Sequence, residues 1–176
     1  MNKFILSFDP SGSWHEGKGT TGWCVFSTAD KRITCAGNIA ADKFNCAEAY
    51  WCKHIELLEN FYAKYKNKLV LVVEDYLLYE SKAKSQINSR METPKLIGII
   101  QIWAYQHSVP LLLEPASAVK TRWSNDILNY KGYIKKSGRG YMIPNVKCPD
   151  VTRHCLDAVR HAVHVATFRL EEFEDG

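Results

Sequence analysis

The sequence predicts an α/β fold: a mixed five-stranded sheet, built as an antiparallel meander extended by two parallel strands and flanked by helices. Three observations carry this. Two short apolar runs, Phe4-Ile5-Leu6-Ser7-Phe8 and Leu69-Val70-Leu71-Val72-Val73, have strand length, and each leads into an acid. Helical apolar spacing occupies the stretch between them and recurs after the second. At 176 residues and 46% hydrophobic content there is material for one sizeable core, with no internal repeat and no linker to divide it.

Residues 3–9 read as a buried strand, Pro10 to Gly19 as a loop, and Thr21–Ser27 and Arg32–Ala40 as the two strands completing the meander through short connections. Ala47, Tyr50, Trp51, Ile55, Leu58, Phe61 and Tyr62 recur at helical spacing and predict a first long helix over 46–66. The run 69–74 is apolar on both faces and is placed as a central parallel strand. A helix over 94–107 opened by Pro94, a short strand over 109–113 and a helix over 117–128 with Ser117 as N-cap follow. The last helix is expected to start near Pro149-Asp150, with Asp150 as its N-cap, and to run to about Phe173.

Composition removes several classes. No apolar run approaches the ~20 residues of a membrane span, and Met1-Asn2-Lys3 leads into a strand without a cleavage signal, so a cytoplasmic protein is expected. The six cysteines (24, 35, 46, 52, 148, 155) form no C-x-x-C pair and read as reduced thiols rather than a zinc site or disulfide framework. The net charge of +4 is modest but uneven. From Ile127 to Pro149 there is no Asp or Glu, while Lys131, Lys135, Lys136, Arg139 and Lys147 alternate with Tyr130, Tyr133 and Tyr141. Lys82, Lys84, Arg90 and Lys95 form a second basic stretch. Such stretches are either solvated connectors or surfaces that neutralise phosphates and stack tyrosines on exposed bases; two of them favour nucleic acid.

Against this background three acids stand out: Asp9 and Glu74 at strand ends, and Asp157 in the helical pattern His154-Cys155-Leu156-Asp157-Ala158. A carboxylate ending a buried strand is costly unless its charge is compensated, and a shared divalent metal would compensate all three. Each also has a plainer reading. Asp9 before Pro10-Ser11-Gly12 could form a turn, Glu74 could pair with a lysine, and Asp157 could be a surface acid paired with Arg153, Arg160 or His161. Alternation separates Glu74 from Asp75, so only one of the two points into a common site. His161 and His164 read as packing or DNA-proximal residues.

These residues carry a resemblance. Phe8-Asp9-Pro10-Ser11-Gly12 with Thr21-Gly22-Trp23 is similar to the opening of the RuvC-type Holliday junction resolvases, members of the ribonuclease H-like superfamily. Val72-Val73-Glu74-Asp75-Tyr76 resembles their second acidic strand, and His154 to Ala158 their C-terminal acidic helix. Gly98-Ile99-Ile100 and Pro115-Ala116-Ser117-Ala118-Val119-Lys120 resemble the segments between. The order of motifs covers nearly the whole chain. The insert Ser13–Gly19 and the basic segment before the last helix depart from the bacterial pattern and place the chain nearer the phage-encoded branch, in which case it would act in the bacterial host cytoplasm.

The resemblance implies a ribonuclease H-like fold and a metal-dependent endonuclease of branched DNA that makes paired symmetric nicks. It implies two Mg2+ ions per site, with Mn2+ able to substitute: Asp9 would bridge both, Glu74 would bind one and Asp157 the other. His154, three residues before Asp157 and on the same helix face, would ligate metal or orient the attacking water. Tyr76 and Tyr79 fall where the family places a side chain that wedges or stacks at the junction centre. Lys82, Lys84, Arg90, Lys120, Lys131, Lys135, Lys136 and Arg139 would hold phosphates. A homodimer is expected, because a near-twofold junction needs two cuts, with the helix around 84–107 (Ile97, Ile99, Ile100, Ile102, Trp103) as its interface. Two other classes compete. A non-cleaving module of the same fold should have lost an acid, and none of the matched three is lost. An actin-like or sugar-kinase-like ATPase lobe opens similarly, but such enzymes close two lobes over the nucleotide and this chain has length for one; no nucleotide cofactor and no membrane association are expected.

Overall fold

The structure, a computed structural model, describes residues 2–77, 90–148 and 150–173. The expected DNA contacts Tyr79, Lys82 and Lys84 lie outside the described residues.

Five strands form the predicted mixed sheet. They are β1 (Phe4–Asp9), β2 (Thr20–Ser27), β3 (Arg32–Ala40), β4 (Leu69–Glu74) and β5 (Leu111–Glu114), in the order β3-β2-β1-β4-β5. The first three pair antiparallel, and β4 runs parallel to both β1 and β5. Flanked on both edges and covered on both faces, β4 needs the unbroken apolar run it has, and Leu69 to Val73 are all buried.

The first helix matches its expectation: α1 spans Ala47–Tyr65. The next, α2 (Glu92–Gln106), starts two residues earlier than predicted, with Pro94 inside its first turn. The single helix expected over 117–128 is instead two short ones, α3 (Ala116–Lys120) and α4 (Asn125–Tyr130). Ser117 therefore lies inside α3, and the side-chain cap belongs to Ser124, which accepts from the Ile127 N–H. The segment read as a basic loop contains a hairpin, β6 (Lys135–Ser137) and β7 (Gly140–Met142), turned at Gly138 with φ 56°. The last helix, α5, runs over Arg153–Phe168 and is followed by a single 3-10 turn. Its N-cap is Thr152, which accepts from the Cys155 N–H, and not Asp150, whose carbonyl instead accepts from Asn38 Nδ2 at 2.6 Å.

Strand alternation divides the core into two layers. Ile5, Val70 and Val72 point to the face covered by α5 and by Val119, Trp123 and Leu128. Leu6, Phe8, Leu71 and Val73 point to the face covered by α1 and α2. Much of the apolar surface of α2 is thus spent inside the chain: Ile97, Ile100 and Trp103 are buried, and Ile102 and Tyr105 are the exposed large groups on that helix. All six cysteines are free thiols, and no helix among the described residues is long and apolar enough to cross a membrane.

Candidate active site

The alternation that sends Ile5 and Ser7 towards α5 sends Asp9 there too, and Val70 and Val72 carry Glu74 with them. Asp75 has the opposite parity, and its carboxylate accepts from the Tyr76 backbone N–H at 2.9 Å, so Glu74 is the strand-end acid that enters the site. Across the β1–β2 ladder Asp9 faces Gly22. A Cβ on Gly22 would collide with the backbone of His154 and Cys155, so glycine there lets α5 lie directly on the sheet. That contact sets His154 Nδ1 2.6 Å from Asp9 Oδ2 and brings Asp157, one turn on, to the same opening. Carboxylate oxygens of Asp9, Glu74 and Asp157 all lie within 4.8 Å of one another.

Three acids this close, two of them nearly buried, repel one another, and the surrounding groups answer that repulsion. Burial chiefly, then the charges of Glu74 and Asp157, push the Asp9 carboxyl above its ordinary value against the opposing His154 hydrogen bond. The Asp9 hydrogen bond in turn raises His154, more than burial lowers it. Burial raises Glu74, but the hydrogen bond and charge of His161 together with Lys120 outweigh it and hold Glu74 below its usual range. Lys120 Nζ sits 3.5 Å from Glu74 and 3.1 Å from Asp157; burial lowers it, and these carboxylates more than restore it, so it stays firmly cationic. Arg160 completes the ring by an ion pair with Asp157.

The donor set fits a hard divalent cation. It offers three converging carboxylates with no thiolate among them, the oxygen chemistry that Mg2+ and Mn2+ select. Asp9, Glu74 and Asp157 would hold such ions, with the free face of His154 beside them.

Several partners were not legible in the sequence. His161, read there as packing or DNA-proximal, is fully buried and donates from Nε2 to Glu74 at 2.9 Å. Arg160, expected as a surface partner of Asp157, is locked on three sides, with Nε on the Trp123 carbonyl at 2.8 Å and the remaining nitrogens on Asp157 and Asn125. Glu114 sits beside Glu74 in register but turns to Arg169 and His164 and stays out of the cluster. The loop after Asp9 is clamped from α1. His54 Nδ1–H donates to the Tyr50 carbonyl at 2.9 Å, leaving Nε2 to accept from the Thr21 hydroxyl at 2.8 Å. Thr21 Oγ1 accepts from Ser11 N–H, and the Tyr50 hydroxyl donates to the Ser11 carbonyl. The Thr-Gly pair therefore does two jobs: Thr21 fixes the turn and Gly22 admits the helix.

The remaining expected DNA contacts are dispersed. Lys131, Lys135, Lys136 and Arg139 are exposed on and beside the β6–β7 hairpin. Arg90 is exposed just before α2. Tyr76 is half-buried against the α1/α2 core layer, the packing role that tyrosines near strand ends commonly take. Lys120, expected on phosphate, is already engaged by two of the three acids.

The chain has a ribonuclease H-like α/β fold, with a carboxylate cluster formed at the C-terminal ends of two parallel strands and on the facing helix. Among solved structures it is similar to T. thermophilus RuvC in complex with Holliday junction substrate, with a TM-score of 0.64 and 14% identity over 96% of each chain. It is also similar to the Thermus thermophilus RuvC structure, with a TM-score of 0.58 and the same identity and coverage. At this identity the likeness is one of fold. No protein-family model matches the chain, and no curated protein matches it in sequence.

Proposed function

We propose that the chain is a metal-dependent, structure-selective endonuclease that resolves Holliday junctions by paired symmetric nicks. The observation that carries this reading is the convergence of Asp9, Glu74 and Asp157 within 4.8 Å on the fold that RuvC also has. When bound, two Mg2+ ions would supply Lewis-acid stabilisation of the attacking and leaving oxygens of the phosphodiester. The chain's own residues do the rest. Asp9, Glu74 and Asp157 define where the scissile phosphate must lie, and His161 and Arg160 keep two of them from turning away. His154 is anchored to Asp9 through Nδ1, which leaves Nε2 as the ring atom available to orient an attacking water and take its proton. Lys120 Nζ, between Glu74 and Asp157, supplies a positive charge that a phosphate oxygen can share.

A four-way junction has near-twofold symmetry, so a C2 homodimer would present one site to each of two strands. The exposed lysines of the hairpin and Arg90 would contact backbone phosphates and set orientation rather than sequence. The reading is tested by incubating the protein with four-way, three-way, flap and linear DNA in magnesium. Paired nicks confined to the four-way substrate support a resolvase, cutting of every branched form identifies a broader debranching nuclease, and no cutting by wild type refutes both.

A further inference from the structure

A cavity of about 450 Å3 opens beside the acid cluster and shares Lys120 and Asp157 with it. We propose that it takes one unpaired nucleotide of the strand being cut, and that this requirement for an extruded nucleotide restricts cutting to branch points. The inference rests on the nuclease reading above.

At about 450 Å3 this open cleft falls in the range of ligand sites, roughly 300–1,000 Å3, and has room for a single nucleotide. The lining combines the groups a nucleotide needs. Lys120 and Arg153 stand on the side of the cluster and the rim; Arg153 is exposed and makes no hydrogen bond or ion pair among the described residues, so it is free for a phosphate. Tyr141, carried on the β6–β7 hairpin, packs in part against the core layer under α5 and also lines the cavity, with Val151 and Leu156 as apolar neighbours. Asn125 supplies a polar edge whose orientation is fixed. Its Oδ1 accepts from Arg160, so the amide NH2 is the end left for a base. Arg160 is held through all three of its nitrogens by Trp123, Asp157 and Asn125, which fixes the guanidinium in place at the lining and leaves one N–H on each terminal nitrogen.

A base lying on Tyr141 with its edge at the Asn125 amide has left its stack and its partner. Within continuous duplex that step costs unpairing and unstacking, whereas a branch point has already lost part of both. The hairpin that provides Tyr141 belongs to the basic segment that departs from the bacterial resolvase pattern, so the cavity gives that segment a role at the site.

The test combines base removal with a change of the stacking wall. Four-way junctions carrying one abasic nucleotide at each position flanking the mapped nick are cleaved in magnesium, and their binding is measured in calcium, by wild type, Tyr141→Ala, Tyr141→Phe and Arg153→Gln. At one flanking position the abasic substitution should cost wild type about tenfold in kcat/KM and cost Tyr141→Ala nothing further. Tyr141→Phe keeps an aromatic face and a folded hairpin, and should keep the full sensitivity. Arg153→Gln should weaken binding of intact and abasic junctions alike. An equal abasic penalty in wild type and Tyr141→Ala, or no penalty at any flanking position, would overturn the proposal while leaving cleavage intact. A wild type that cuts no branched DNA would instead overturn the nuclease reading beneath it.

Discussion

His161 Nε2 lies 2.9 Å from Glu74 Oε2, and the imidazole that makes this bond is fully buried in the layer between α5 and the sheet. A strand-end carboxylate is thereby held by a side chain seven residues beyond His154 on the helix, two turns further from the opening.

His161→Leu roughly keeps the volume and removes the donor, so Glu74 should lose its orientation without a large cavity forming. Loss of such a supporting contact costs ~10–100-fold in metal affinity or activity. The expected result is a rise of that size in the Mn2+ dissociation constant, read by titration calorimetry, with cleavage largely restored at saturating metal. An unchanged metal dissociation constant would mean that His161 serves packing alone.

Asp9→Asn should make the metal-free protein more stable. Burial and the neighbouring acids raise the Asp9 pKa, so the folded state binds its proton more readily than the unfolded chain and stability falls as pH rises through that window. An amide in its place keeps an acceptor for His154 and removes the charge. A higher Tm at pH 7 in chelator, together with lost cleavage, is the expected pattern; a lower Tm would contradict the electrostatic reading of the cluster.

Gly22→Ala should be far more disruptive than its size suggests. The new methyl meets backbone of α5 rather than a mobile side chain, so the helix must lift from β2. A loss of about 3 kcal/mol is expected in urea unfolding, with cleavage falling even where the variant remains folded, because His154 and Asp157 move with the helix.

Most of the fold was legible because its signals are local. The apolar runs at β1 and β4 and the helical spacing of α1 need only period and punctuation, whereas Asp9, Glu74 and Asp157 are singled out together by the resemblance of their motifs. What stayed hidden depends on tertiary partners. The break between Lys120 and Asn125 is capped by Ser124, whose role competes with that of Ser117 in sequence. The cap of α5 passes to Thr152 because Asn38 of β3 engages the Asp150 carbonyl and the Thr152 hydroxyl. His161 looked like packing because nothing in the chain's order says that Glu74 lies across from it.

His54 gives a pH dependence with a defined sign. Burial lowers its pKa from 6.5 to about 4, so between those values the unfolded chain holds a proton that the folded protein does not. Stability should therefore fall as pH drops from about 6.5 to about 4, by roughly 3 kcal/mol from this group. Urea unfolding of wild type and His54→Gln across pH 4–7 isolates the contribution: the variant should be less stable at pH 7 and show a flatter slope below it. Parallel slopes would refute it.

The central claim is that Asp9, Glu74 and Asp157 act as one metal-dependent centre for cutting branched DNA. It is tested most directly by cleavage of a synthetic four-way junction in magnesium by wild type and Glu74→Gln. Paired symmetric nicks by wild type, abolished in chelator and reduced by more than ~100-fold in the variant, are the predicted result. Cleavage by Glu74→Gln at the wild-type rate would contradict it.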